Sequence, residues 1–508
     1  MKKNGFTLAE ILGVVILLGA LMLFVATPIV NNVYSKKNDL DKVNIELITS
    51  ATEKYLENNK SGYKPYDGIS YKVTIKQLIE SKLLDKNILT NKLTKIIEET
   101  DYIKINGNGK NFNISNNLYK NEGIISLLKN KSTVTFNSNK YLDSNEDNIT
   151  IHFSGMDWIV IGYNKDGSVR LLLKENITAL IPNDGTSTYE DSYIRKWLNE
   201  EFYSKIIRND LIVPGNFCTD TSPNTSKTKS ICTNIVNDKV GMLSLYEINK
   251  GLNKDLINNN TPYALITLNN NENYIFNNDN SILTTDNTRP LYIRPVINIY
   301  GSVWFDKQTS IDNNPYLINE EYLSNVENRV FEPGKYIKFK SNDNVFRIME
   351  STTEYIKLIS NSTFINTKYS SFSNNLNIQE GLGYKLNKEL YYNLGFSKDV
   401  YNNILNNMIY NASFDYDYKT YQNDKFLVEN AYLGIPKLGD MFLHPNTSFV
   451  TSTSTDLDSI YYIDNPIITK RNKNENLNSK IVFYVKNNFR VNSGDGITPD
   501  TSYILEST

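Results

Sequence analysis

Glu10 is the one charged residue in an apolar run that spans residues 6–30. A carboxylate inside hydrocarbon is costly and normally pairs with another group, so Glu10 predicts a functional ionic contact. A helix over this run would be ~37 Å long, enough to cross a bilayer with some tilt. The sequence therefore predicts a spanning helix whose carboxylate needs a partner.

The residues around Glu10 resemble the prepilin leader of type IV pilins and type II secretion pseudopilins. Lys2 and Lys3 precede Gly5 and Phe6, and the glutamate follows four positions after Phe6. The resemblance implies cleavage between Gly5 and Phe6 by a prepilin peptidase and N-methylation of Phe6. Glu10 would then neutralise the Phe6 amine of a neighbouring subunit, since an unpaired buried charge costs ~3–5 kcal/mol. An ordinary single-pass anchor with an isolated glutamate is the alternative.

A small α/β head follows the apolar run in the sequence. Beyond Pro28 we expect an amphipathic helix, then a second helix in "VTIKQLIESKLL" and two strands around the Asn-Gly turn of "YIKINGNGKNFNIS". This order is similar to the pilin fold, so we predict a leader at 1–5, a transmembrane or filament-core helix at 6–30 and a pilin-like head at 31–120. The apolar stripe of the first helix would be Leu40, Val43, Leu47, Ala51 and Tyr55.

The chain has two cysteines, and they bracket one loop, "CTDTSPNTSKTKSIC". A disulfide between Cys218 and Cys232 would close this loop and contribute ~3 kcal/mol outside the reducing cytoplasm. Two unbonded thiols are the alternative, because the spacing alone does not distinguish them. The two histidines, His152 and His444, have no evident partner. A Cys/His metal cage or a Cys–His catalytic pair is therefore not expected.

Other residue types that could support chemistry occur in isolation. Asp415 and Asp417, and Asp456 and Asp458, could offer oxygen ligands to calcium, but both pairs lack the further acids of a calcium loop, and solvated acids are the expected state. The sequence contains no G-x-S-x-G elbow, Gly-rich phosphate loop or Ser/His/Asp pattern. We expect no catalytic residues, no metal, no cofactor and no enzymatic activity.

The remainder of the chain contains an internal repeat, with similar segments about 190 residues apart in the same order. We predict a linker at 121–134 and two copies of one module at 135–320 and 330–508. The matching segments are "LNEEFY" (198–203) with "LNKELY" (386–391), "VGMLSL" (240–245) with "LGIPKL" (433–438), "YIRPVIN" (292–298) with "YVKNNFR" (484–490), and "NPYLI" with "TSYIL".

Each copy has an opening strand pair, a helix, loops and closing strands, an α+β pattern. This order resembles an uncharacterised module of surface proteins in low-G+C Gram-positive bacteria and, more faintly, C-type-lectin-like domains of the sulfatase-modifying type. The second copy has Phe346 and Lys486–Asn487 where the first has Trp158 and Arg294–Pro295. The predicted fold class is α+β: a long N-terminal transmembrane helix with a pilin-like head, then two repeated, β-rich modules.

Together these features predict a minor pilin-like subunit, placed at the tip or occasionally along the shaft, that displays two modules for adhesion or partner binding. Its partners would be other pilin subunits, the prepilin peptidase, the inner assembly platform, membrane lipid before assembly, and a carbohydrate or protein ligand. The net charge of −2 gives no reason to expect nucleic acid. The predicted location is a single-pass membrane protein that becomes extracellular on the pilus or cell surface. The alternatives are a pseudopilin of a secretion or DNA-uptake system, and an anchored surface enzyme or ligand-binding protein that does not assemble.

Overall fold

The computed structural model describes residues 41–507, except for the following stretches and single positions: 61–62, 64, 66–69, 91–96, 121–122, 137–138, 145–148, 183–187, 221–231, 270–271, 304, 308–315, 319–330, 341, 370–375, 407–430, 444–446, 457 and 465. The chain divides into two compact units. The first comprises Met1–Asn121 with Glu320–Asn325, and the second comprises Glu122–Asn319 with Val326–Thr508.

The first unit packs helices on a three-stranded antiparallel sheet. Thr74 begins the second helix with a capping box, in which its hydroxyl accepts from the Gln77 amide and the Gln77 side chain accepts from the Thr74 amide. The sheet has the order β1-β2-β3. The elements are helix α1 (41–58), β1 (Ser70–Thr74), α2 (Ile75–Glu80), a 3₁₀ turn (Lys86–Thr90), β2 (Tyr102–Gly107) and β3 (Phe112–Tyr119).

The buried face of α1 differs from the predicted stripe by one position. Ile48 is fully buried, whereas the neighbouring Leu47 is 54% exposed and Val43 is 49% exposed. The predicted stripe was therefore wrong at these two positions, because adjacent apolar residues allow two overlapping helical faces and packing against the sheet selects one. The side chains of α1 in the core are Ile48, Ala51 and Leu56, with Ile75, Leu78, Ile103 and Ile105 opposite.

The predicted fold class needs correction, because the described residues are rich in strands and, apart from α1, each helical element has six residues or fewer. No helix within the described residues is long and apolar enough to cross a membrane. Helix α1, over 41–58, carries six charged residues. The long transmembrane helix of the predicted fold, the single-pass location and the membrane terms that depended on it are accordingly wrong on this finding, which also gives the pilin terms no support. Residues 6–30, to which that helix was assigned, lie outside the described part of the chain.

The second unit contains two sheets of matching order, and the first of these belongs to residues 133–318. Its strands run β10-β18-β8-β7-β6-β20-β19, with β13 beside β18 and the hairpin β4-β5 beside β7. The strands are β4 (Thr133–Phe136), β5 (Asn139–Leu142), β6 (Thr150–Phe153), β7 (Met156–Tyr163), β8 (Val169–Leu173), β9 (Thr178–Leu180), β10 (Ile212–Val213), β11 (Gly215–Cys218), β12 (Ile235–Asp238), β13 (Val240–Gly241), β14 (Tyr263–Asn269), β15 (Glu272–Phe276), β16 (Ile282–Asp286), β17 (Leu291–Ile293), β18 (Val296–Ile299), β19 (Phe305–Lys307) and β20 (Tyr316–Ile318).

The second sheet, in residues 336–507, runs β29-β23-β22-β21-β31-β30. Taken in this order, its six strands correspond to β18, β8, β7, β6, β20 and β19 of the first sheet. The parallel pairs correspond as well, since β6 is parallel to β20 and β21 is parallel to β31. The strands are β21 (Tyr336–Phe339), β22 (Phe346–Ser351), β23 (Tyr355–Ser360), β24 (Ile365–Lys368), β25 (Phe449–Ser454), β26 (Ser459–Asp464), β27 (Ile467–Asn472), β28 (Asn476–Ser479), β29 (Val482–Lys486), β30 (Phe489–Ser493) and β31 (Tyr503–Ser507).

The smaller sheets also recur in both copies. The pair β9-β17 corresponds to β24-β28, and the three-stranded sheet β14-β15-β16 corresponds to β25-β26-β27. The helices are α3 (Tyr193–Lys196), a π-helical turn (Trp197–Phe202), α4 (Tyr203–Lys205), α5 (Leu245–Asn249) and α6 (Lys254–Ile257) in the first copy, and α7 (Leu382–Tyr384), a π-helical turn (Lys385–Leu390), a 3₁₀ turn (Tyr391–Asn393) and α8 (Lys398–Asn403) in the second. Additional 3₁₀ turns are Ile124–Leu128 and Asn209–Leu211.

Strand pairing fixes which residues of the two copies are equivalent. Ile151 pairs with Trp158 in the first sheet, and Ile337 pairs with Phe346 in the second, so Phe346 takes the place of Trp158. Both side chains are fully buried. The two sheets therefore have one architecture, with an aromatic residue at the same position of the core.

The predicted match of the closing strands is wrong in register. Gly241 pairs with Val296, and Gly434 bridges to Val482, which gives an offset of 482 − 296 = 186. The predicted match of "YVKNNFR" with "YIRPVIN" had an offset of 484 − 292 = 192, six residues too far along the chain. Loops of different length between the two copies shift the offset, so a match based on short similar strings slips.

Candidate functional site: paired buried charges and a rigid module junction

A partly buried asparagine fixes the π-helical turn of the first copy to the neighbouring chain. The Asn199 side-chain amide donates to the carbonyl oxygens of Arg195 at 3.0 Å and Val240 at 2.9 Å. Its oxygen accepts from the backbone amides of Lys239 and Val240. The hydrogen-bonding capacity of this amide is thus fully used within the fold.

Asn387 makes the same four bonds in the second copy. It donates to the carbonyl oxygens of Gly383 and Leu433 and accepts from the amides of Tyr432 and Leu433. It lies within the other π-helical turn, a conformation that is rare in proteins. The shared "LN" of the two helical segments therefore performs a shared structural task.

The first copy buries an ion pair between β8 and helix α5. The Arg170 guanidinium lies 2.8 Å from the Glu247 carboxylate, and both side chains are almost inaccessible to solvent. The Tyr141 hydroxyl donates to Glu247 at 3.1 Å, and the Arg170 guanidinium lies over the Phe217 ring. Glu247 also accepts from the Ser244 amide as part of a capping box, so one carboxylate joins the helix start to the sheet.

The second copy has an equivalent pair of different chemistry. Lys357 of β23 donates to Asp440 at 2.6 Å, and Asp440 also accepts from the Lys437 amide at 3.0 Å, as Glu247 does from Ser244. Burial opposes both charges, but attraction within the pair holds the pKa of Lys357 above, and that of Asp440 below, its ordinary value. The Lys357 amine lies 5.6 Å from the centre of the Tyr484 ring.

A second buried cation also recurs, and its position corrects a predicted equivalence. Arg294 precedes β18 by two residues and donates to the carbonyl oxygens of Leu173, Ile257 and Lys174. Lys480 precedes β29 by two residues, so Lys480, and not Lys486, takes its place.

The two cations pack against matching rings but differ in their hydrogen bonds. Arg294 lies over the Tyr263 ring and Lys480 over the Phe449 ring, each 5.1 Å from the centroid. Within the described residues, the Lys480 amine has no hydrogen-bond acceptor. Burial and the nearby charge of Arg347 lower the pKa of Lys480 to about 8.

His152 has a carboxylate partner that the sequence analysis missed. Its Nδ1 lies 2.8 Å from an oxygen of Asp157, and the other oxygen of that carboxylate lies 3.6 Å from the Lys174 amine. The hairpin β6-β7 brings the two residues together, since His152 and Asp157 are directly paired across it. Burial would raise the pKa of Asp157, but the hydrogen bond and charge of His152 lower it overall. The spacing of five residues around Ser154-Gly155 was the signal in the sequence.

The two copies meet at a junction built from both backbones. The Trp197 indole donates to the Gly439 carbonyl at 3.2 Å, and the Gly439 amide donates to the Ala179 carbonyl at 3.0 Å. The Phe442 amide donates to the Ile177 carbonyl, with Phe442 in the left-handed backbone region at φ +64°. A non-glycine residue is held there at a cost, which indicates that surrounding contacts determine its position.

One arginine completes this junction. The Arg347 guanidinium forms a two-pronged ion pair with Glu175 of the first copy and lies 3.9 Å from the centre of the Phe442 ring. Arg347 is largely buried, and the charge of Glu175 keeps its pKa raised against the opposing effect of burial. The copies are therefore joined by directional contacts and not by apolar packing alone.

Cys218 and Cys232 are joined by a disulfide. Their sulfurs and the Asp220 carboxylate lie within 4.8 Å of one another, a grouping that is close enough for a metal. However, the two sulfurs are bonded to each other, and Asp220 already accepts from both the amide and hydroxyl of Thr233 and from the Asn234 amide. The carboxylate thus closes the base of the disulfide loop, and this donor set does not fit a metal ion.

The other candidate residues are either structural or undescribed. Asp456 accepts from the amides of Asp458 and Ser459, so this acid stabilises a turn. The following predicted residues lie outside the described part of the chain: Gly5, Phe6, Glu10, Asp415, Asp417 and His444.

Comparison with known proteins gives one likeness. No curated protein and no solved structure matches the chain. Residues 167–298 match a family described as "Domain of unknown function (DUF6273)". This segment contains Asn199, which with Asn387 we call the clamp asparagines for their four hydrogen bonds, the Arg170–Glu247 pair and Arg294. Over this segment, the first copy is similar to that family.

Proposed function

We propose that this chain is a non-enzymatic binding subunit of the pilin-like class, which presents its two modules to a carbohydrate or protein partner as one rigid body. The observation that carries the proposal is the junction through Trp197, Gly439 and Arg347. A directional, buried junction fixes the spacing and orientation of the two modules. A pair of weak sites held in this way gains affinity when both engage one partner.

The use of the buried charges supports binding rather than catalysis. Arg170 is ion-paired with Glu247 and Lys357 with Asp440 inside the fold, and these pairs position a helix start or turn against the sheet. A catalytic acid or base must instead reach the substrate. Exposed side chains suited to contact include Tyr392, which is 66% exposed beside the second π-helical turn.

Binding without turnover is the first test. The full chain is incubated with intact cells and with purified surface polysaccharides, and both bound protein and ligand mass are measured. We expect saturable binding with no change in ligand mass, and weaker binding by Tyr392→Ala than by the matched surface variant Leu283→Ala. A ligand that is cleaved or modified by the chain would contradict the proposal in favour of a surface enzyme.

Pilin-like assembly is supported by the Gly5-Phe6 pattern with Glu10, and by the packing of helix α1 on a three-stranded sheet in the first unit. Mass spectrometry of the N-terminus from native cells tests it. A chain that begins at N-methyl-Phe6 in the sheared-surface fraction is expected. A Glu10→Val variant should be processed but join assemblies poorly. An intact Met1, or normal incorporation of Glu10→Val, would contradict this part of the proposal.

A further inference from the structure

Lys357 and Asp440 place an amine directly against a carboxylate inside the second copy. The Lys357 Nζ and an Asp440 oxygen are 2.6 Å apart, and both side chains are more than nine-tenths buried. Asp440 is also held by the Lys437 amide, and Lys357 is flanked by Tyr484 on the neighbouring strand. The reacting groups are therefore fixed in contact and shielded from bulk water.

A second carboxylate lies on the strand next to Lys357. Glu350 of β22 is the direct cross-strand partner of Lys357, so the two side chains project from the same face of the sheet. The Tyr355 hydroxyl donates to one oxygen of Glu350 at 2.8 Å, and the other oxygen lies 3.5 Å from the Lys205 amine of the first copy; these contacts orient the carboxylate. The site thus combines a nucleophile, an electrophile and an acid–base group on three adjacent elements.

The first copy shows what the same position looks like without this chemistry. Arg170 and Glu247 replace the lysine and aspartate, and the cross-strand partner of Arg170 is Gly162, which has no side chain. A guanidinium is a poor nucleophile because its lone pairs are delocalised and it stays protonated. An ion pair alone therefore accounts for the first copy, and the amine and the second carboxylate appear together only in the second.

We propose that Lys357 and Asp440 condense to an intramolecular amide bond, with Glu350 as the proton carrier. The Lys357 Nζ bonds to Cγ of Asp440, and one Cγ–O bond of the carboxylate breaks. Of the three ammonium protons, one stays on the amide nitrogen and two leave with the departing oxygen as water. Glu350 accepts one of these protons and returns it to that oxygen, so it ends unchanged. The step involves no oxidant or other reactant.

The proximity of Lys357 to Asp440 would accelerate the condensation. Groups held in contact behave as though present at very high concentration, which converts a slow bimolecular condensation into an intramolecular one. The charged pair must first pass a proton from Lys357 towards Glu350 or Asp440 to free the amine. Burial favours this transfer because it disfavours both charges, whereas the attraction between Lys357 and Asp440 opposes it. The reaction would follow folding, since β22, β23 and the Lys437–Asp440 turn meet only in the folded chain.

Peptide mass spectrometry of the purified full chain tests the proposal. After denaturation, reduction and digestion with trypsin, we expect a branched peptide that joins the Lys357 and Asp440 segments and weighs one water less than their sum. Peptides with Arg170 and Glu247 from the same digest serve as the internal control and should be unlinked. Lys357→Arg keeps the ion pair and should give no branched peptide.

The outcomes separate the parts of the proposal. Unlinked Lys357 and Asp440 peptides at full yield, from protein with the native Cys218–Cys232 disulfide, would overturn it. The Glu350→Gln variant is expected to lower the linked fraction at least tenfold early after refolding, with unchanged circular dichroism. Equal linkage in this variant and the wild type would overturn the role assigned to Glu350. Neither result depends on whether the modules bind a partner.

Discussion

The Trp197 indole of the first copy and the Gly439 carbonyl of the second are joined by a hydrogen bond of 3.2 Å. Both groups are buried, so the bond has no competition from water. This bond is one of the contacts that couple the unfolding of one copy to the unfolding of the other.

We expect Trp197→Phe to weaken the coupling between the two copies. The change keeps an aromatic ring but leaves the Gly439 carbonyl without its donor, at a cost of ~1–3 kcal/mol. Scanning calorimetry should show a broader or split transition. Trp158→Phe is the matched control, since its indole donates within the first copy, to the Phe153 carbonyl. It should lower stability while keeping the transition single, and equal splitting in both variants would contradict the assignment.

Replacement of the clamp asparagine should destabilise the second copy strongly. Asn387→Leu keeps the size of the side chain but leaves buried groups of Gly383, Tyr432 and Leu433 without partners, so we expect a loss of ~3 kcal/mol or more. Asn393→Leu removes one exposed hydrogen bond, to the Glu389 carbonyl, and should cost well under ~1 kcal/mol. Urea denaturation of both variants measures the difference, and similar midpoints would count against the clamp.

Reduction of the disulfide should lower the stability of the first copy. The loop between Cys218 and Cys232 has a sequence separation of 14, and closure of such a loop contributes ~3 kcal/mol. The double variant Cys218→Ser, Cys232→Ser should reproduce the effect of a reducing agent and be insensitive to it. A reducing agent that lowers the melting temperature of the double variant equally would show that the effect lies elsewhere.

Lys480 should make stability rise with pH. Its pKa is about 8 in the folded chain against 10.5 as the ordinary value, so the unfolded chain binds more protons between these limits. The cost of the buried charge is present in full below pH 8 and is relieved as pH rises towards 10.5, by ~3 kcal/mol. The difference in unfolding free energy between wild type and Lys480→Met isolates this effect. A difference that is constant over this window would contradict it.

The face of helix α1 can be tested with two adjacent residues. Ile48 is fully buried in the first unit and Leu47 is 54% exposed. Ile48→Ala should therefore cost ~2–5 kcal/mol and Leu47→Ala less than ~0.5 kcal/mol. Chemical denaturation of the full chain, followed by a probe in the first unit, gives both values. A larger loss for Leu47→Ala would restore the face predicted from the sequence.

The shared Leu-Asn pairs of the two helical segments could be recognised in the sequence, because few side chains other than asparagine can make the same set of hydrogen bonds. The "LN" of Asn199 and Asn387 stands out since an asparagine there makes four specific bonds. The closing strand could not be placed, because β-strands accept many apolar residues and loops of unequal length hide the register. Phe346 was matched correctly to Trp158, which lies in the better-defined opening hairpin.

The buried ion pairs could not be predicted from spacing. Lys357 and Asp440 are separated by 83 positions, and the first copy uses Arg170 and Glu247 instead, so no string of letters is shared. The two copies share only the pairing of a cation on a sheet strand with an anion on a distant segment, and the two segments meet only in the folded chain. The partner of His152, Asp157, is only five residues away across a hairpin. It was overlooked because His152 was considered without the turn that brings Asp157 opposite it.

The residue two positions before each clamp asparagine gives the junction a direction. In the first copy it is Trp197, which receives the second copy, whereas in the second it is Lys385, paired with Glu389 at 3.0 Å. The equivalent strands of the two copies differ in the same sense, since β9 is buried and β24 is alternately exposed. A third module of this kind would meet a hydrated lysine where its predecessor met an indole. The two modules are therefore not interchangeable within the tandem.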